Sequence, residues 1–399
     1  MKEVVILGAG FAGLKALHFL QKSSGDFHVT LIDQNDYHCE KISLAEVAAG
    51  SLCRDDICYQ IEDLIKPNKT TFVRGTVKKI DPEAQTIQLT DQEIHYDYAM
   101  IGLGFVPETF GIQGADRYAL HMTTVEEAEA IYQHLLNEFK AYQSDNDPRH
   151  LNIAVCGAGF TGIELLGDLL DQRDDEYSRQ FNIPADKFNI YCINADDHYL
   201  PMFQPKLAEY GIHKLEKRGA QFIIGKISRL EENHVFYDDD NDVEHEIEAN
   251  TIIWTTGVSG SPVMHASDFP EHRNRVRTNA DLSYDKYNNL YITGDVAAFF
   301  PENEDRPYPT TAQIALQMGE VSAKNIVHQI KNEKTEEFKY HNRGTVASLG
   351  NKDAFGTSFG MNFKGYIASV MKKMIDDLSL IETGGCKELL ACGKFDFYH

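Results

Sequence analysis

Val4-Val5-Ile6-Leu7-Gly8-Ala9-Gly10-Phe11-Ala12-Gly13 decides how this chain folds. Four consecutive apolar residues suit a parallel strand covered on both faces. The GxGxxG that follows joins this strand to a segment of helical periodicity, Leu14 to Leu20. In that context each glycine has a task. Gly8 permits a tight turn, Gly10 lets the backbone approach a pyrophosphate, and Gly13 allows close helix–strand packing. A second apolar run, Val29-Thr30-Leu31-Ile32, ends at Asp33, 20 residues beyond Gly13. An acid there can bond a ribose hydroxyl. The stretch reads as a site for FAD or NAD, and its residues do not distinguish the two.

The pattern then begins again. After a polar connection around Ser144 to Arg149, Asn152-Ile153-Ala154-Val155-Cys156 reads as a buried strand, and Gly157-Ala158-Gly159-Phe160-Thr161-Gly162 repeats the fingerprint. Two such motifs in strand–turn–helix context imply two dinucleotides on one chain, a tightly held flavin and a diffusing nicotinamide. The next strand, Phe188 to Ile193, ends at Asn194 where an acid is expected. Asn194 can bond ribose hydroxyls, and Asp196 and Asp197 bring negative charge close by, so NADH is expected over NADPH. Two strands ending in glycine, Ala99–Gly104 and Thr251–Gly257, complete the repeat.

The expected fold class is α/β: two Rossmann-like dinucleotide-binding domains, the second inserted in the first, plus a C-terminal membrane-associating segment. The expected boundaries are 1–115 with 275–333 for FAD, 116–274 for NADH and 334–399 for the C-terminal region.

Tyr291 to Gly319 carries the remaining chemistry. A short strand leads to Thr293-Gly294-Asp295, then a Pro-rich loop, then Thr310-Thr311-Ala312-Gln313-Ile314-Ala315-Leu316-Gln317-Met318-Gly319, which opens a helix. Thr310 or Thr311 is the expected N-cap, and Gln313 and Gln317 share a face. A helix start offers unpaired N–H groups and a positive dipole end, which suits the pyrimidine side of a reduced flavin. Asp295 is placed to hold a cofactor hydroxyl. Glu164, two residues past Gly162 in an otherwise apolar helix, either complements the helix dipole or faces the flavin, and the second reading is preferred.

Composition narrows the classes. A formal charge of −23 over 399 residues excludes a general nucleic-acid partner by repulsion. Met1-Lys2-Glu3 runs straight into a strand, so no signal peptide is expected, and no apolar run reaches the roughly 18 to 20 residues of a bilayer span. Seven cysteines suggest reduced thiols. Cys53 and Cys58 have the C-x4-C spacing of a disulfide reductase but are flanked by charge and not by glycine. Cys39 reads as a half-buried bystander and Cys156 as structural. No Cys or His grouping has metal-ligand spacing, so no metal is expected.

With these motifs in place the chain resembles the type II NADH dehydrogenases, single-subunit NADH:quinone oxidoreductases among the two-dinucleotide flavoproteins. The matching motifs are Gly8–Gly13, Leu103-Gly104-Phe105 with Glu108-Thr109-Phe110-Gly111, Gly157–Glu164, Trp254–Gly257, Gly294-Asp295, Ala312–Gln317 and the late Met371–Asp376. Ala312–Gln317 looks like the family's Ala-Gln-x-Ala-x-Gln quinone signature. The resemblance implies FAD held by Gly8, Ala9, Gly10, Phe11, Ala12, Gly13, Asp33, Gln34, Val77, Gly294, Asp295, Ala312, Gln313 and Lys372. It implies NADH held by Gly157, Gly159, Phe160, Gly162, Asn194 and Gly257, and a menaquinone-like quinone beside Gln313 and Gln317. Glu164 and Gln317 would be catalytic, with Glu164 and Lys372 as the charge pair. The implied activity is NADH oxidation and quinone reduction without proton pumping. The alternatives are a soluble disulfide or peroxide reductase using Cys39 or Cys53 with Cys58, a sulfide:quinone reductase, against which the intact second fingerprint argues, and a non-catalytic redox-sensing flavoprotein.

The C-terminal stretch Phe363 to Ile375 places Ile367, Val370, Met371, Met374 and Ile375 on one helical face, with Lys364, Lys372 and Lys373 beside it. A locally basic amphipathic helix in an acidic protein is expected to lie on a membrane surface. Peripheral attachment at the cytoplasmic face and a homodimer are the corresponding expectations.

Overall fold

The computed structural model describes residues 1–197, 199–358 and 360–395. The chain opens with β1 (Lys2–Leu7), α1 (Phe11–Lys22), β2 (Phe27–Asp33), β3 (Thr70–Arg74) and β4 (Tyr98–Ile101). It crosses into a second unit with β5 (Leu120–His121), β6 (Asn152–Cys156), α2 (Phe160–Gln172), β7 (Asn189–Asn194), β8 (Ala220–Ile224) and β9 (Thr251–Trp254). It then returns for β10 (Ser283–Tyr284), β11 (Tyr287–Ile292) and α3 (Ala312–Ile330).

The first sheet has the order β10-β11-β4-β1-β2-β3 and the second β5-β9-β6-β7-β8. Every neighbouring pair is parallel except β10 with β11. Both fingerprint strands, β1 and β6, are interior strands with Val4–Leu7 and Ile153–Cys156 buried. Their unbroken apolar runs follow from cover on both faces. The two crossings between units, Phe105–Pro107 and Val258–Gly260, pair with each other as an antiparallel ribbon. The second unit is therefore an insertion in the first.

α1 and α3 pack side by side over the first sheet. The contact needs glycine at 319, where a Cβ would come 2.1 Å from the Ala12 carbonyl oxygen. The core of the second unit also takes in Leu44 to Ala49 from the first and Ala347, Leu349 and Phe355 from the C-terminal region. The three parts thus interlock.

The C-terminal region is a three-stranded antiparallel sheet, β12 (Thr345–Ser348), β13 (Ala354–Ser358) and β14 (Met361–Lys364), followed by α4 (Tyr366–Thr383) and α5 (Cys386–Cys392). α4 is turned inside out for a helix in water. Its buried residues include Ser369, Asp376, Asp377, Ser379 and Thr383, while Ile367, Met374, Ile375, Leu378 and Ile381 are exposed. The outward apolar stripe therefore continues past Ile375, a turn and a half beyond the stretch read from the sequence. Val370 and Met371, expected on that face, are only partly exposed, because the helix is rotated to bring its polar side against the body. Among the described residues no helix is long and apolar enough to cross a membrane.

Candidate active site

Both glycine turns open into one cavity of about 1220 Å³ between the two units. This exceeds the roughly 300 to 1,000 Å³ of a site for one small ligand.

The first turn is fixed by its own backbone and by Asp33. The Gly8 N–H donates to the Ile32 carbonyl (2.8 Å). The Ala9 N–H donates to one Asp33 carboxylate oxygen (2.7 Å) and the Asn35 N–H to the other (2.8 Å). Gly8 has φ +97°, and at Gly13 a Cβ would stand 1.8 Å from the Gly8 oxygen. At Gly10 a Cβ would meet no protein atom within 4 Å, which leaves the backbone open to the cavity. That open cradle is what a pyrophosphate needs. Burial pushes the Asp33 carboxyl up, and the Ala9 and Asn35 N–H groups oppose it.

The second turn repeats these contacts. The Gly157 N–H donates to the Ile193 carbonyl (2.8 Å), and the Ala158 N–H to the Asn194 side-chain oxygen (3.1 Å). Asn194 thus does for its turn what Asp33 does for the first. Gly159 also has open space where a Cβ would go, and at Gly162 a Cβ would lie 2.0 Å from the Gly157 oxygen. Gly159, Phe160 and Gly257 line the cavity, as do Gln34 and Val77 on the first-unit side.

α3 begins at the cavity wall. Thr311 is the N-cap, accepting the Ile314 N–H at 3.3 Å, and Ala312 and Gln313 line the cavity. Gly294 and Asp295 form a short turn beside it. Burial pushes the Asp295 carboxyl up, against Lys41 and Arg275. Lys41 also stacks on Phe105 (4.5 Å from its ring centre).

The two glutamines of α3 clamp the strap that leads to β12. Gln313 donates to the Gly344 carbonyl (3.1 Å) and accepts from the Arg343 N–H (2.7 Å) and Tyr340 hydroxyl (3.1 Å). Gln317 donates to the His341 carbonyl (3.0 Å) and accepts its N–H (2.9 Å). Gln317 stands outside the cavity, contrary to the expectation of a pair at an acceptor pocket. A turn further along the helix, its amide satisfies the strap's main chain instead. Gln317→Leu removes both bonds, and thermal unfolding should show a loss of about 1 to 2 kcal/mol. An unchanged midpoint with slowed quinone reduction would point to contact with the acceptor.

At the far edge lies a charge cluster buried between α2, α4 and the short helix Leu44–Ala49. The Ser348 N–H donates to Glu164 (3.2 Å), and the Lys372 ammonium stands 3.7 Å from the same carboxylate. Lys372 also bonds both oxygens of Asp376 (2.8 and 3.1 Å), and Lys394 joins Asp376 (3.0 Å) to Glu46 (2.6 Å). Burial pushes the Glu164 carboxyl up, with Lys372 and the Ser348 N–H opposing. Burial would lower Lys372, but Asp376 and then Glu164 outweigh it and hold the ammonium above its usual range. Asp168, one turn along α2, is pushed well up by burial and by Glu46. Glu164, Lys372 and Asp376 all reach the cavity. The arrangement places the Glu164 carboxyl beside the Lys372 cation at the end of the cavity bordered by Ile375 and Leu378 of α4.

Cys53 and Cys58 do not form a pair, in keeping with their charged flanks. Cys53 is exposed at the start of a short helix, and Cys58 lies across the strand ladder from Cys39. Sequence reasoning passed over Lys41, Asp168, Asp376, Glu46 and Lys394. Only the four-residue spacings Glu164–Asp168 and Lys372–Asp376 carried a local signal.

Two nucleotide turns on one cavity, one unit inserted in the other, define a two-dinucleotide oxidoreductase. Residues 2–319 match the pyridine nucleotide-disulphide oxidoreductase family. The type II NADH:quinone oxidoreductases of Staphylococcus saprophyticus and Staphylococcus aureus are each 39% identical to this chain, with 99% of both chains covered. The chain belongs to the pyridine nucleotide-disulphide oxidoreductases and, within them, to the type II NADH:quinone oxidoreductases. The structure of NDH2 from Plasmodium falciparum in complex with NADH shares the fold at TM-score 0.88 and 17% identity, covering 98% of this chain and 97% of that one. The sulfide:quinone oxidoreductase of Aquifex aeolicus does so at 0.80 and 20%, covering 100% and 96%.

Proposed function

We propose that the first turn holds FAD, that NADH binds across the second, and that a menaquinone-like quinone reaches the cavity beside Glu164 from under α4. The observation that carries this reading is the single cavity itself. Both glycine turns, the Thr311 helix start and the Glu164–Lys372 pair all border it. Bound there, a flavin supplies two-electron transfer between nicotinamide and quinone.

The chain's own residues then divide the work. Gly8, Ala9, Gly10, Phe11, Ala12 and Gly13 seat the pyrophosphate, and Asp33 with Gln34 lies at the ribose end. Val77, Gly294, Asp295, Ala312 and Gln313 border the ring, the last two presenting N–H groups from a helix start. Gly157, Gly159, Phe160, Gly162, Asn194 and Gly257 seat the nicotinamide dinucleotide. Asn194 bonds ribose hydroxyls without repelling a 2′-phosphate; the negative charge of Asp196 and Asp197 close behind it supports NADH over NADPH. Glu164 holds a proton for the quinone oxygen, and Lys372 sets the local positive charge. Gln317 fixes the strap at His341 that borders this end of the site. Anaerobic titration with NADH and with NADPH tests the nicotinamide assignment, and equal bleaching by both would contradict it.

The outward stripe of α4 supports docking on the cytoplasmic face of the cell membrane. Leu390 and Phe395 extend the exposed apolar surface, and Ile375 and Leu378 continue it to the cavity. A lipid-tailed quinone could enter there without crossing water. The expected homodimer competes for the same stripe and predicts a different result. Ile367→Glu with Met374→Glu should release the protein from anionic lipid vesicles in a flotation assay. Unchanged flotation with a loss of dimer mass would assign the stripe to a second copy.

A further inference from the structure

The hairpin formed by Tyr37–Cys39 and Cys58–Gln60 sets Cys39 directly opposite Cys58. The Glu40 N–H donates to the Ile57 carbonyl (2.9 Å), and the Ile61 N–H to the Asp36 carbonyl (2.9 Å). Hydrogen-bonded and non-hydrogen-bonded pairs alternate along an antiparallel ladder. Asp36/Ile61, His38/Tyr59 and Glu40/Ile57 therefore form the bonded set, and Cys39/Cys58 is a non-hydrogen-bonded pair. At such a position the Cα atoms stand about 4.5 Å apart and the side chains approach most closely. A disulfide spans Cα separations of about 4.4 to 6.8 Å.

We propose that Cys39 and Cys58 are a redox-modifiable pair, closed to a cross-strand disulfide by exchange with a small-molecule disulfide. Exchange opens with attack by one thiolate of the pair, here Cys58. Its sulfur bonds to one sulfur of the small disulfide, whose S–S bond breaks, and the departing thiolate takes up a proton. Cys39 then attacks the Cys58 sulfur, expelling the second small thiolate, which takes the Cys39 proton. The protein loses two protons and two electrons, and the small disulfide becomes two thiols.

Closure would be felt at the cavity, which Cys39 lines. On one side of it, the His38 ring bonds the Ala9 carbonyl of the first glycine turn (2.7 Å). On the other, Glu40 accepts from Thr383 (2.8 Å) and Ser379 (3.1 Å) of α4. The link would staple the segment that ties the nucleotide turn to the C-terminal helix. The proposal is independent of which quinone is reduced.

The test treats dithiothreitol-reduced holoenzyme with hydroxyethyl disulfide, then iodoacetamide, and reads intact mass and peptide map. The expected product lacks two hydrogens, carries no added group, links Cys39 to Cys58 and reopens with dithiothreitol. Cys53→Ser should still close, and Cys39→Ser should stop at a mixed disulfide on Cys58. Closure should also shift the flavin fluorescence reversibly. Alkylation of both Cys39 and Cys58 after treatment, or a link from Cys53 to Cys58, would overturn the pairing. Unaltered fluorescence in the linked form would overturn its coupling to the cavity.

Discussion

Glu164→Gln slows quinone reduction on the order of 10²-fold or more, the usual contribution of a positioned proton donor, and leaves reduction of the flavin by NADH near its native rate. The substitution keeps the size of the side chain and can still accept the Ser348 N–H, so the fold at α2 is retained. It removes the ionisable proton from a cavity-lining carboxyl that stands 3.7 Å from the buried Lys372 ammonium. Burial raises the Glu164 carboxyl, so the protonated form survives to higher pH than for an ordinary glutamate. Quinone reduction should fall as pH rises through that raised value, and Glu164→Gln should flatten this limb of the profile. Rapid-mixing measurement of the two half-reactions across pH checks both points. Equal loss in both halves would mean the residue supports the fold and not the proton step.

Gly162→Ala should have the opposite selectivity. The added methyl would come within 2.0 Å of the Gly157 carbonyl oxygen and 2.9 Å of the Thr255 hydroxyl. The first obstacle is backbone, so α2 or its turn must shift and the nicotinamide seat is deformed. Reduction of the flavin by NADH should drop on the order of 10²-fold, equivalent to about 3 kcal/mol. The protein should remain yellow, because the Gly8–Gly13 turn is untouched. Re-oxidation by quinone after chemical reduction should be slowed less than reduction by NADH. Gly13→Ala is the mirror experiment: its methyl would meet the Gly8 oxygen at 1.8 Å, and the purified protein should lose its flavin. Loss of flavin from Gly162→Ala would contradict the assignment of the two turns.

Much of this was legible in the sequence because the nucleotide turns are local. A strand, a glycine turn and a helix start lie within a few consecutive residues, so spacing alone places Gly8, Gly10, Gly13 and their counterparts. The inserted arrangement followed from the repeat at Asn152 and the return of first-unit strands near Tyr291. The charge cluster was not legible, because Glu46, Glu164, Asp376 and Lys394 come from three parts of the chain and meet only on packing. The helical pattern of α4 was visible, but not which side faces out. That depends on Asp376 meeting Lys372 and Lys394, and on Ser379 and Thr383 meeting Glu40. The bond between Gln317 and the strap at His341 was not legible for a related reason: the two lie 24 residues apart and meet only on packing. The charged flanks already spoke against the C-x4-C spacing, but the partner of Cys58 was not legible, because ladder register, and not chain distance, sets it opposite Cys39.

The most direct measurement is anaerobic sequential mixing of the holoenzyme, first with NADH and then with a menaquinone analogue, following the flavin absorbance. The expected result is rapid bleaching by NADH, slower bleaching by NADPH, and return of the oxidised spectrum on adding quinone, with only the return slowed in Glu164→Gln. A flavin that NADH does not bleach, or that quinone does not re-oxidise, would contradict the assignment of this cavity to NADH:quinone oxidoreduction.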